Sequence, residues 1–149
     1  MWLLRPNSLW SEFKKRSLKS QVVIDAESGE ILCTAHGRGS EHDFALFKNS
    51  QLSIDEAIEV VADQGYQGIA KLHANSYIPL KRLRNQTSSE LECAYNRAVS
   101  QVRIAIEHVN RRLKVFRILS ERYRNRRQRH EERVQLIAAF YNWELYLAD

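Results

Sequence analysis

Short β-favouring runs bounded by turn residues occupy the first half of the chain, and apolar residues recur every three or four positions towards its end, which predicts strands first and long helices last. Residues 19–26 (KSQVVIDA) and 30–35 (EILCTA) are β-favouring runs on either side of Glu27-Ser28-Gly29, the pattern of an antiparallel hairpin, and Gly37-Arg38-Gly39 ends the second run. Ser40 followed by Asp43 fits a helix cap with an acid in the first turn, opening a short helix through Phe44, Leu46 and Phe47. Ser53 with Glu56 starts another helical turn. Residues 58–62 (IEVVA) then make an apolar run of strand length that stops at Asp63-Gln64-Gly65-Tyr66-Gln67-Gly68, so an acid stands at a strand's C-terminal end. A short helix around 69–73 and a brief strand at 77–80, limited by Pro79, follow.

Thr87-Ser88-Ser89-Glu90 has the form of a capping box, and Leu91, Tyr95, Ala98, Val102, Ile106, Val109, Leu113 and Phe116 recur behind it at helical spacing. A last helix runs from about 127 to 147, with Val134, Ile137, Ala138, Tyr141 and Leu145 on one side. Leu136, Phe140, Trp143 and Leu147 form a second stripe, which calls for burial on two faces or a helix partner. Residues 1–13, interrupted by Pro6-Asn7, show no clean periodicity and read as irregular. The element order predicts an α/β sandwich with helices over a mixed sheet.

A chain of 149 residues has room for one domain, divided here into an irregular segment at 1–16 and the domain proper at 17–149. No apolar run approaches the roughly 20 residues of a membrane span. Cys33 and Cys93 match neither a disulfide framework nor a zinc module, and the cytoplasm is the expected location. The net charge of +5 is unevenly placed: residues 103–133 hold eleven arginines and lysines against four glutamates, whereas residues 1–75 hold eight bases and ten acids. Such asymmetry suggests a polyanionic partner, although an arginine-rich solvated helix surface accounts for it equally well.

Arg103, Glu107 and Lys114 lie four and seven residues apart on the long helix and share one stripe, bordering the apolar one through Ile106. Asp63 on a strand end and Glu107 on a helix are two carboxylates on different elements, as a site for a hard divalent cation requires. The plainer readings are that Asp63 caps the next turn and that Glu107 pairs with Arg103 or Arg111 along the helix. His36, His42 and Asp43 offer three ligands near one turn. Their spacing fits no standard zinc pattern, and Asp43 is better explained as a first-turn acid. Lys14, Lys15, Arg16 and Lys19, Lys81 and Arg84, and the run 122–129 are candidate phosphate contacts.

The Asp63-Gln64-Gly65-Tyr66-x-Gly68 box, followed by Arg103-x-x-x-Glu107 and Lys114, resembles the second half of the DDE transposases of bacterial insertion sequences. The resemblance runs from about Ser17 to Leu145 and includes 21–25 (QVVID), 39–43 (GSEHD) and 111–116 (RRLKVF); Ser100 stands where the glutamate signature often has tyrosine. It implies a ribonuclease-H-like catalytic domain, with Asp63 and Glu107 as the second and third acids of a magnesium- or manganese-dependent site. Arg103, Lys114, Lys81 and the basic segment Lys14, Lys15, Arg16 and Lys19 would meet DNA, both transposon ends and target. The family carries its first acid on the opening strand, yet residues 1–11 have no acid and Glu12 is not an aspartate; Asp25 reads as a hairpin-turn residue instead. The expectation is therefore a truncated copy, lacking its first strand, with cation weakly bound and little or no cutting. The alternative is a noncatalytic DNA-binding or regulatory protein that pairs with itself or with a full-length transposase.

Overall fold

The computed structural model describes residues 2–8, 18–81, 89–120 and 129–148. The expected hairpin is present as β2 (Leu18–Asp25) and β3 (Ile31–Arg38), paired antiparallel. Asp25 builds its turn, its carboxylate accepting the Glu27 N–H at 3.2 Å and the Ser28 hydroxyl at 3.1 Å. A slip in register after Val23 leaves Leu32 as the extra residue of a bulge.

The N-terminus departs from expectation. Residues read as irregular form β1 (Trp2–Ser8), so the sheet has the opening strand that the sequence pattern left out. β1 lies at the centre of a sheet ordered β3-β2-β1-β4-β5, where β4 is Val60–Ala62 and β5 is Ser76–Tyr77. It runs antiparallel to β2 and parallel to β4, and β4 runs parallel to β5. Pairing along all of β1 by β2 overrides its weak local pattern. Pro6 is tolerated because the ladder with β4 ends at Leu4, so no second strand asks for its missing N–H.

Alternation along β2 sends Val22 and Ile24 to one face and Val23 to the other. On the first face, these two and Val61 pack under α2 (Glu90–Leu113), the short α3 (Arg117–Ser120) and α4 (His130–Ala148), through Val99, Ile106, Val109, Leu113, Leu119, Val134, Ile137 and Tyr141. On the second face Val23, Val60 and Ala62 meet Phe47 of α1 (Asp43–Asn49) together with Tyr66 and Ile69. Each fully buried aliphatic side chain contributes roughly 1.5–3 kcal/mol, which is why α2, with Ile106, Val109 and Leu113 all inside, stays seated on the sheet.

The helix starts are shifted from those the sequence suggested. α1 is capped by His42, whose Nδ1 accepts the Phe44 N–H at 3.4 Å, and not by Ser40. The capping box of α2 is Ser89 with Glu92: Ser89 Oγ accepts from Glu92 N at 3.2 Å and the Glu92 carboxylate accepts from Ser89 N at 3.0 Å. Residues around Ser53 and Glu56 form a turn held by Asp55 and not a helix. The second stripe of α4, Leu136, Phe140, Trp143 and Leu147, is exposed.

Two asparagines tie helices to strand-like backbone. Asn142 of α4 accepts the Ile31 N–H and donates to the Ile31 carbonyl, both at 2.9 Å, capping the outer edge of β3. Asn96 of α2 does the same to Leu80 at 2.8 and 3.3 Å, and the Tyr95 hydroxyl donates to the Ile78 carbonyl at 3.1 Å. The first half of α2 is thereby fixed to the chain leaving β5, and its second half to the sheet. Among the described residues no helix is long and apolar enough to cross a membrane.

Candidate active site

β4 ends at Ala62, and Asp63 follows with an extended backbone and caps the 3-10 turn Gln64–Tyr66, accepting the Gln64 N–H at 3.2 Å. The same carboxylate receives the Arg103 guanidinium of α2 at 2.8 Å, with the two side chains 26% and 21% exposed. The helix carrying the glutamate signature thus crosses the strand end carrying the box acid. Glu107 lies one turn further along α2, exposed beside Ile106, which is 1% exposed and anchors that turn in the core. The plain reading of Asp63 holds, since it does cap the next turn, and Arg103 of the stripe pairs with Asp63.

The box owes its glycines to α1. A side chain at Gly65 would bring a Cβ within 2.1 Å of Asp43 Oδ2, so Gly65 is the seat of the Asp43 carboxylate. Gly68, at φ +100°, needs glycine for its backbone as well, and the Phe44 ring packs 3.2 Å from where its Cβ would be. Between them Tyr66 is fully buried, edge-on to Phe47, and burial first, then Asp43 and Asp63, push its phenol well above the ordinary range. Asp43 also accepts from Lys19 Nζ at 2.6 Å, and that ammonium donates to the Glu41 carbonyl at 2.7 Å. Sequence reasoning took Asp43 for a first-turn acid and missed this role. The only signal was the pair of glycines, and nothing in the sequence says which side chain fills the space above them.

Of the remaining expected site residues, Lys19 has its charge met by Asp43, and Lys81 and Lys114 are exposed. Lys14, Lys15 and Arg16 lie outside the described residues, as do Arg84 and 122–128. His36, His42 and Asp43 do not converge: His42 caps α1, Asp43 pairs with Lys19, and His36 Nδ1 meets Ser20 Oγ at 3.0 Å. Asp25 sits at the far end of the sheet, opposite Trp2, while Asp63 lies beyond Leu4. Among the described residues no group of three His, Cys, Asp or Glu side chains is placed to hold a metal ion. The residues of β1 are WLLRPNS, none of them acidic, and the register that pairs Leu4 with Ala62 leaves Arg5 level with Asp63.

Comparison with known proteins assigns the chain a family. Residues 3–142 match the family described as DDE superfamily endonuclease. The chain is 47% identical over 133 residues to a probable transposase for insertion sequence element IS702 from Microchaete diplosiphon, a match covering 89% of this chain and 48% of that protein. The chain thus spans about half the length of the curated relative it matches. No solved structure matches it. All of β1 but Trp2, and the whole α2 stripe, fall inside the matched span, and the chain belongs to the DDE superfamily endonucleases.

Proposed function

We propose that the chain is a transposase-type DNA endonuclease and strand-transfer domain of ribonuclease-H-like fold, with Asp63 and Glu107 as two cation-holding acids. The sheet order, with an antiparallel β3-β2-β1 half and a parallel β1-β4-β5 half between helices, supports the fold assignment. The observation that carries the site is the 2.8 Å contact between Arg103 and Asp63, because it seats the glutamate-bearing helix over the strand-end acid.

The donors fit a hard divalent cation: both are carboxylates, and neither cysteine nor histidine takes part. Magnesium is commonly held by one or two carboxylates, completed by water and substrate phosphate, so two acids suffice for one ion in the presence of DNA. Bound there, magnesium or manganese supplies activation of water or a 3′-hydroxyl for attack on a phosphodiester and neutralises charge on the phosphate. The chain's own part is to hold the two acids at a fixed distance on rigid elements, and to orient DNA through Arg103, Lys114 and Lys81. Because β1 brings no acid to the level of Asp63, we expect this chain alone to bind DNA and to cut it weakly or not at all.

DNA binding is tested by fluorescence anisotropy with a short duplex at rising salt. Affinity should fall steeply as salt increases, by about one power of salt concentration for each phosphate contact. Affinity indifferent to salt would remove DNA as the partner. A regulatory protein pairing with another transposase chain is a second reading, favoured by the exposed stripe Leu136, Phe140, Trp143 and Leu147. It predicts association in sedimentation that Trp143→Lys abolishes without loss of DNA binding.

A further inference from the structure

We propose that Arg103 is an exchangeable guanidinium that occupies the Asp63 carboxylate in the free protein and leaves it for a DNA phosphate, so that cation binding at Asp63 is coupled to DNA binding. The proposal rests on the reading of Asp63 as a cation-holding acid. Asp63 Oδ1 already accepts from Arg103 Nη2 at 2.8 Å and from Gln64 N at 3.2 Å. A divalent ion placed on that oxygen would lie against a guanidinium of like charge, so the two compete for the same carboxylate.

The competition is reversible because the pair is at the surface and not deep in the core. The Arg103 and Asp63 side chains keep 21% and 26% of their exposure, so water and a phosphate reach the pair, and the desolvation it has undergone offsets much of its Coulomb gain. Phosphate is the natural rival, since the planar fork of arginine suits carboxylate and phosphate alike. Arg111 and Lys114 continue along α2 as exposed bases, one and two turns beyond Glu107. A backbone drawn along that stripe brings phosphate to Arg103. As the guanidinium moves to the phosphate it frees Asp63, and the same phosphate offers the oxygens that two carboxylates leave unfilled around a hard cation. In the absence of DNA, Asp63 is kept neutralised by an internal charge.

Manganese binding reads this directly, without cutting, from the loss of the free-ion signal in electron paramagnetic resonance. It is measured on the full chain, on Arg103→Gln and on Arg103→Met, which keeps the aliphatic stem, each with and without a short duplex. Only binding removed by Asp63→Asn is counted, because the duplex itself takes up manganese. Without DNA, both arginine variants should bind roughly tenfold more tightly than the unaltered chain, within the usual range for coupled sites. Duplex should raise the affinity of the unaltered chain by a similar factor and that of the variants much less. Reciprocally, manganese should tighten the unaltered chain's grip on duplex. Equal Asp63-dependent binding by the unaltered chain and the variants without DNA would overturn the coupling and leave Asp63 as a cation-holding acid. No Asp63-dependent binding in any sample, variants with duplex included, would overturn the coupling together with the reading it rests on.

Discussion

Replacing Gly65 by alanine tests why the Asp-Gln-Gly-Tyr box has its glycine. The turn residue carries no positive φ, so backbone freedom is not the reason; the new Cβ would instead stand 2.1 Å from Asp43 Oδ2, 3.0 Å from its Cγ and 3.2 Å from its Cβ. Asp43 cannot simply swing aside, because its other oxygen is held by Lys19 Nζ at 2.6 Å. Overpacking of this kind costs about 1–3 kcal/mol, and at this chain length each kilocalorie lowers Tm by roughly 2–4 °C. Thermal and urea unfolding of Gly65→Ala, Asp43→Ala and the double variant measure the coupling. Asp43→Ala destabilises on its own by releasing Lys19, but it removes the two closest atoms of the clash. Gly65→Ala should therefore cost less than about 1 kcal/mol in that background, leaving a coupling of roughly 1–2 kcal/mol. Additive effects of the two substitutions, or a Gly65→Ala variant as stable as the parent, would refute the argument that α1 sets the box turn.

Acid should loosen the seam where α4 meets β2 and β3. Ser20 Oγ lies 3.0 Å from both His36 Nδ1 and His130 Nε2; its single proton goes to one ring while it accepts from the other, so the arrangement fails once both imidazoles are protonated. Burial lowers both histidines from 6.5 to about 4, helped at His130 by His36 and then Arg133. Below pH 6.5 the unfolded chain takes up protons that the folded one refuses, so stability is intact above pH 6.5 and is lost as pH falls towards 4. Urea unfolding should show a loss of up to about 2 kcal/mol per ring by pH 5, an upper bound that solvent access reduces. A His36→Asn/His130→Asn variant should flatten that slope, and an unchanged slope would refute the assignment. Asn142→Ala leaves the Ile31 N–H and carbonyl without their 2.9 Å partners and should cost roughly 1–3 kcal/mol in the same assay, with faster amide exchange at Ile31.

The strands and helices with strong periodicity were legible in the sequence. Residues 19–26 are a strongly β-favouring run, and the stripe through Tyr95, Val102, Ile106, Val109 and Leu113 left little choice but a helix on the sheet. β1 was not legible: its seven residues hold a proline, an arginine and an asparagine, and only pairing with β2 along its length, and with β4 over Trp2 to Leu4, makes them a strand. The caps moved for a similar reason, since several Ser, His and Glu positions compete locally and tertiary contacts choose among them. At the site, spacing placed Asp63 and Glu107 on converging elements. It did not show that Arg103 reaches across to Asp63, nor that Asp43 sits on Gly65, because both contacts join residues far apart in the chain.

In the proposed function, Asp63 and Glu107 would form a cation-dependent nuclease site that lacks an acid from β1. Nicking of supercoiled plasmid in manganese tests it most directly, comparing the unaltered chain, Arg5→Asp, which puts a carboxylate at the β1 position level with Asp63, and Arg5→Asp combined with Asp63→Asn or Glu107→Gln. Near-background nicking by the unaltered chain, clear nicking by Arg5→Asp, and a return to background when either of the other acids is removed are the expected results. Vigorous nicking by the unaltered chain that Asp63→Asn abolishes would contradict the missing-acid claim, and nicking by Arg5→Asp that persists without Asp63 and Glu107 would contradict their place in the site.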